Sequence, residues 1–271
     1  MTKTPEILYE DPHLVLVRKP AGWLSQPGKD GSADDCDLVS YLEEQERARR
    51  RIPVGSDVVL HDPYIGVVHR LDRGVGGVMV YAKKPRAAAV LSDMVQKRDM
   101  TKQYLCIVHG IPAEKEGEYR DYLFRDAKQN KVYVVDRVRN GVKEAVLSYR
   151  VLETVQRPDG ETLSLLLVTL GTGRSHQIRA QLSHHGTPIV ADGKYGGRRP
   201  GGITLDEGEI ALYSHHLAFA HPANVPGGSG KTKGKKARTG KPAFADIDCL
   251  VYPDAAVLPW GWFRTVGGGG E

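Results

Sequence analysis

The sequence predicts an α+β fold built on a mostly antiparallel sheet. Strand-like runs joined by hairpin-length turns outnumber the helical stretches. The helices also do not alternate regularly with the strands, as a doubly wound parallel sheet would require. With 271 residues, 40% of them hydrophobic and 26% charged, the chain can bury a substantial core.

The segment ILYEDPHLVLVRKPAG, from Ile7 to Gly22, reads as two short strands around a turn at Glu10-Asp11-Pro12. A Gly- and Asp-rich loop follows. Asp37 is placed to cap a helix over LVSYLEEQERARRR, with acids early and arginines late, and Pro53 and Gly55 close it. YIGVVHRLD is an apolar strand that ends on charge, and GGVMVYAKK resumes as a second strand. PRAAAVLSDMVQKRD is helical, with Pro85 suited to the first turn and apolar Ala89, Val90, Met94 and Val95 recurring at helical spacing. Strands continue through KQYLCIVHG, KVYVV, EAVLSYRVLE and TLSLLLVTL, the last apolar enough to be covered on both faces. A helix from Ser175 runs through SHQIRAQLSHH to a stop at Gly186. ALYSHHLAFAH and AFADIDC are strands flanking a basic loop at 231–241. Residues 1–264 are expected to form one domain, with 265–271 a disordered tail.

A net charge of +5 mildly favours polyanionic partners. The basic loop, with Lys231, Lys233, Lys235, Lys236 and Arg238, contains no acid and is either a phosphate contact or a solvated segment. Cys36, Cys106 and Cys249 are scattered and odd in number, as suits a reducing cytoplasm without disulfides. No apolar run approaches the roughly 18 residues of a membrane span, and acidic residues interrupt the N-terminal stretch where a signal peptide would be apolar. A cytoplasmic location follows as the expectation.

Three segments carry candidate chemistry. VVHRLDRGVGG delivers His69, Arg70, Asp72 and Arg73 into a glycine-rich turn, which costs desolvation unless the charges pair or meet a ligand. Flanking arginines favour the ionised form of Asp72, although such a run alone reads more simply as a structural salt bridge. LGTGRSHQIRAQL gathers Arg174, His176, Gln177 and Arg179 after a strand end. It lacks the spacing of a Walker phosphate loop and of a dinucleotide fingerprint. Tyr104 lies on a strand, where packing is the plain reading. The doublets His184-His185 and His215-His216 have no cysteine or carboxylate at ligand spacing, so no metal is expected. No GxSxG elbow exists for a hydrolase triad.

Taken in order, these segments resemble the RluA family of RNA pseudouridine synthases over about residues 6 to 222. KPAG at Lys19–Gly22 is similar to the family's KPxG motif, VVHRLDRGVGG to HRLDxxTSG, and KQYLCIVHG to its K-x-Y-x-A-x-V-x-G strand. GRSHQIRAQLSHHGTPIVADGKYG is similar to GRxHQIRxHxxxxGxPIxGDxxYG, and LYSHHLAFAHP to LHAxxLxFxHP. The resemblance implies the pseudouridine synthase fold, a mixed sheet with a central RNA-binding cleft, and isomerisation of uridine in ribosomal or transfer RNA.

By this resemblance Asp72 is the catalytic carboxylate, Tyr104 the active-site tyrosine, Arg179 the partner of Asp72, and Arg70 the arginine associated with the flipped-out base. His69, Arg73, Arg174, His176, Gln177 and the basic loop are expected to contact RNA. The redox-neutral rearrangement needs no cofactor or metal, and a monomer is the default. Two departures stand out: Val75-Gly76-Gly77 in place of Thr-Ser-Gly, and Ala191-Asp192 in place of Gly-Asp. No N-terminal S4-type domain is expected, since the motifs begin almost at residue 1. The principal alternative is a non-catalytic RNA-binding protein derived from a synthase. A nucleoside or sugar-phosphate hydrolase that uses Asp72 is a more distant one, and turnover of free nucleotide without RNA would favour it.

Overall fold

The computed structural model describes residues 3–28, 36–49, 62–225 and 244–267. Strands β1 (Glu6–Glu10) and β2 (Leu14–Lys19) form the expected hairpin. Asp11 makes the turn, its Oδ1 accepting the backbone N–H groups of His13 at 2.6 Å and Leu14 at 2.9 Å. Helix α1 (Leu38–Arg49) starts at Asp37, whose Oδ1 accepts from the N–H of Val39 and Ser40. The expected stop at Pro53 and Gly55 lies outside the described residues. Next come β3 (Gly66–Val67), β4 (Gly76–Ala82) and α2 (Pro85–Lys97). The helix begins on Pro85 and ends where Arg98 turns left-handed at φ 67°.

The period of two in β2 and β4 sorts their side chains onto two faces. Val15, Val17, Met79 and Tyr81 join one core with Leu38 and Leu42 of α1. Leu14, Leu16, Val78 and Val80 face the other way, onto Ala87, Val90, Leu91 and Met94 of α2. Every residue of β4 is buried, so the strand sits between two layers.

Strands β5 (Thr101–His109), β6 (Glu116–Asp126), β7 (Lys131–Val134), β8 (Val142–Gln156) and β9 (Thr162–Leu170) follow, then α3 (Gln177–His184). Strands β10 (Leu212–Phe219) and β11 (Ile247–Leu250) precede a short α4 (Arg264–Gly267). All eleven strands among the described residues join one sheet, in the order β1-β2-β4-β10-β5-β9-β8-β6-β7, with β3 beside β4 and β11 beside β10. The only parallel pairing among the described strands joins β4 to β10, and the sheet is therefore mixed and mostly antiparallel as expected. No described helix is long and apolar enough to cross a membrane.

Four expectations need correction. The run YIGVVHRLD is strand only at Gly66–Val67, because the residues after it bend away to present charge to a cleft. Strand β6 is not predicted by the sequence: EGEYRDYLFRD is polar and alternates exposed with half-buried positions, only Leu123 being buried, so it lacks the apolar signature of a core strand. Helix α3 starts at Gln177 rather than Ser175, since His176 adopts a left-handed conformation at φ 49°. The tail is ordered to residue 267: Val266 is buried, and the Thr265 N–H and hydroxyl both donate to Glu153 Oε2.

Candidate active site

The charged segment His69–Arg73 is fixed by neighbours on both sides. Ser25 Oγ accepts the Leu71 N–H at 3.1 Å and donates to the Leu71 carbonyl at 2.8 Å. His69 Nε2 accepts the Val80 N–H at 3.1 Å, which requires that nitrogen to be unprotonated. Burial, helped by the charge of Lys102, lowers the His69 pKa to about 3. The turn after Asp72 closes through the Val75 N–H donating to the Asp72 carbonyl at 3.0 Å.

The KPAG segment grips the same turn. Lys19 is 1% exposed, and its Nζ donates to the carbonyls of Pro20 at 3.0 Å and Arg73 at 3.1 Å. Burial pulls the Lys19 pKa down to about 7 against the opposing charges of Asp72 and Glu209. Arg73 Nε donates back to the Gly22 carbonyl, so this arginine holds the loop as well as facing the cleft.

Asp72 meets Arg179 across the cleft, with Arg179 Nη1 donating to Asp72 Oδ2 at 2.9 Å. The same guanidinium is held from behind by Asp192, through Nε to Oδ2 and Nη2 to Oδ1, both at 2.7 Å. Asp192 is 1% exposed, so this two-pronged pair is desolvated and geometrically fixed. Burial disfavours the charged guanidinium, but the hydrogen bonds and charges of Asp192 and Asp72 outweigh it and raise the Arg179 pKa. The guanidinium carbon also sits 5.0 Å over the Tyr195 ring.

On the other carboxylate oxygen, His176 Nε2 stands 3.8 Å from Asp72 Oδ1. Tyr195 orders that imidazole: its hydroxyl oxygen accepts the Val132 N–H at 2.8 Å and lies 2.9 Å from His176 Nδ1. With the hydroxyl donating to Nδ1, the neutral ring carries its proton on Nε2, toward Asp72. Burial lowers the His176 pKa against the pull of Asp72, which keeps the ring neutral.

Tyr104, on β5, is 7% exposed and lines the same cleft as Asp72. Burial and the charge of Asp72 raise its pKa, so the phenol stays un-ionised at neutral pH. The cleft has a volume of about 690 Å³. Its walls carry Arg70, Arg73, Lys102, Arg125, Arg174, Arg179 and Lys194, and Asp72 is the one acid among its lining residues. Arg70 is exposed and lines the cleft. Arg174 also lines the cleft while its Nε donates to the Glu144 carbonyl.

Gln177 departs from its expected role in RNA contact. It is 3% exposed, and its amide is used within the protein, accepting from the Thr172 hydroxyl and Arg174 N–H and donating to the Val146 carbonyl. His69 likewise serves the backbone of β4. Lys231, Lys233, Lys235, Lys236 and Arg238 lie outside the described residues. Sequence reasoning missed Asp192, Tyr195, Lys102, Arg125 and Lys194. Asp192 and Tyr195 stood in a recognised motif, and the three cations needed the tertiary fold to bring them to one cleft.

The fold is one shared with human RNA pseudouridylate synthase domains. A family model described as RNA pseudouridylate synthase matches residues 13–184, and the chain belongs to that family, within its RluA branch. The chain is 30% identical to the dual-specificity RNA pseudouridine synthase RluA of Vibrio vulnificus, over 95% of this chain and 88% of that protein. It is 32% identical to ribosomal large subunit pseudouridine synthase D of Xanthomonas campestris, over 90% of this chain and 68% of that one. The match to the uncharacterized RNA pseudouridine synthase YhcT of Bacillus subtilis is 31% identical over 80% of this chain, and spans 64% of YhcT's own length. The human RNA pseudouridylate synthase domain containing 1 shares the fold, with a TM-score of 0.62 at 19% identity over 95% of this chain and 86% of that one.

Proposed function

We propose that this chain isomerises uridines in RNA to pseudouridine, with Asp72 as the catalytic carboxylate. One observation carries the reading: a lone acid, held by a buried arginine, in a cleft whose other charged lining residues are all cations. A polyanion is drawn to such a cleft, and Arg179 aims the carboxylate within it.

A uridine must leave its stack before its glycosidic bond is reachable, at a cost of a few kcal/mol. Phosphate contacts from the cleft cations offset that cost. Arg70, exposed at the mouth, is suited by its planar guanidinium to fill the vacated stack or hold a flanking phosphate. Asp72 acts at the sugar, as nucleophile at C1′ or as base at C2′, while the N1–C1′ bond breaks. Arg179 anchors one carboxylate oxygen and His176 faces the other, limiting the carboxylate's rotation. The freed uracil turns, C5 bonds to C1′, C5 loses its proton and N1 gains one. Tyr104, un-ionised and buried, suits a flat floor on which the base turns. The steps are redox-neutral and use only these side chains.

Residues 1–264 are taken as one catalytic domain, supported by the single sheet that joins its strands. Relatives named for the ribosomal large subunit support a ribosomal RNA substrate, and a transfer RNA substrate and a cytoplasmic setting are carried by the sequence reading alone. Asp72→Asn keeps the side-chain shape but removes the charge. It should lower tritium release from C5-labelled uridine RNA by at least about a hundredfold with the circular dichroism spectrum unchanged. Normal release by that variant would remove Asp72 from the reaction, and release absent from the unaltered protein on every RNA tried would leave a binding protein.

A further inference from the structure

The sequence offered His184-His185 without a carboxylate, and the fold supplies one: Asp121 of β6 comes to the C-terminal end of α3. We propose that Asp121, His184 and His185 bind a zinc-class divalent cation that fastens α3 to β6. The ligand atoms of all three lie within 4.8 Å of one another. His185 Nε2 is 3.1 Å and 3.3 Å from the two Asp121 oxygens. Two ligands of one tetrahedral zinc, each about 2.1 Å from the ion, stand roughly 3.4 Å apart. That pair is already at working separation, and only the exposed His184 ring has to turn inward.

Consecutive residues on a helix do not share a face. Here the helix ends between them: His185 is the capping residue at φ −83° and ψ 16°, and Gly186 follows at φ +81°. That change of backbone direction brings the two rings to 5.1 Å between centroids. The His184 ring makes no hydrogen bond to any described residue, so it is available as a ligand.

The surroundings hold the other two ligands in place. Gln181, fully buried, donates its Nε2 to Asp121 Oδ2 at 2.7 Å. The Tyr119 ring stacks on His185 at 3.7 Å and an interplanar angle of 7°. Such outer contacts fix ligand orientation in metal sites. The partly negative carbonyl end of α3 also favours a cation. Two imidazoles and one carboxylate select zinc-like ions over magnesium or calcium, which take oxygen ligands. The fourth position faces solvent and takes a water.

The site is separate from Asp72, but α3 also carries Arg179, so a bound ion restrains fraying of the helix that holds the partner of Asp72. Tag-free, chelator-treated protein titrated with zinc chloride should bind one ion per chain with micromolar affinity, and its thermal midpoint should rise. Magnesium chloride should leave the midpoint unmoved. His184→Ala and Asp121→Asn should each weaken zinc binding by about tenfold or more. His184 is the decisive position, because an ordinary Asp121–His185 ion pair does not need it. Absence of saturable zinc binding, or zinc binding unaltered by either substitution, would overturn the proposal.

Discussion

Arg179 forms three hydrogen bonds to two carboxylates, and the division of labour between those acids follows from burial. Asp192, at 1% exposure, acts as the fixed anchor, while Asp72 keeps a face open to the cleft. The motif order pointed to the Asp72–Arg179 pair, but sequence alone did not give Asp192 this function, since depth is a property of the fold. His69 shows the same gap. It looked like a ligand contact, yet its Nε2 is occupied by a backbone N–H of β4. That bond has a consequence for pH. The folded-state pKa of His69 lies near 3, below its ordinary value of 6.5, so between those values the unfolded chain binds the extra proton. Its contribution to stability is complete above pH 6.5 and is lost as pH falls toward 3. His69→Gln retains an acceptor for Val80 without titrating. Urea midpoints between neutral and mildly acidic pH should therefore fall more steeply for the unaltered protein than for the variant. Parallel profiles would mean that His69 titrates as it does in the unfolded chain.

Two elements meet where the chain departs from its family's motifs. Gly76 on β4 pairs with Tyr213 on β10, at the sheet's parallel junction. The family's Thr-Ser-Gly and Leu-His-Ala runs would put Ser and His at these places. Here the larger ring stands opposite the residue with no side chain. A Cβ added at Gly76 would lie 3.2 Å from the Tyr213 ring, so the two departures offset each other in volume. At the next pair Gly77 is unavoidable: φ is +117°, and a Cβ would come within 2.1 Å of the Ser214 carbonyl oxygen. The Gly76 departure stands out in the sequence, but its partnership with Tyr213 does not, because the β4–β10 register joins segments far apart in the chain. Gly76→Ser should cost about 1–3 kcal/mol through overpacking, and adding Tyr213→His should recover most of that loss. A double-mutant cycle in urea measures the coupling, and strictly additive effects would show that the two sites are independent.

At the scale of the whole molecule, charge is sorted more sharply than a net +5 suggests. The cleft lining concentrates seven cations around one carboxylate, drawn from segments as distant as Arg70 and Lys194. The hairpin turns, the capped helices and the antiparallel character were legible because they rest on local patterns. The cleft's charge was not, because it is assembled by tertiary packing. The basic segment at 231–241 is the reverse case, conspicuous in sequence but outside the described residues. It bears six cations and no acid, a composition suited to phosphate contact. Each phosphate of a single strand that is neutralised contributes about 0.7 to the slope of log affinity against log salt. Deleting 231–241 should therefore weaken RNA binding at low salt and flatten that slope by about 0.7 for every phosphate the segment neutralises. Turnover of RNA already bound should hold steady, because Asp72, Arg179 and Asp192 are untouched by the deletion. Filter binding across a salt series measures the slope, and a slope equal to that of the full chain would reduce the segment to a solubility device.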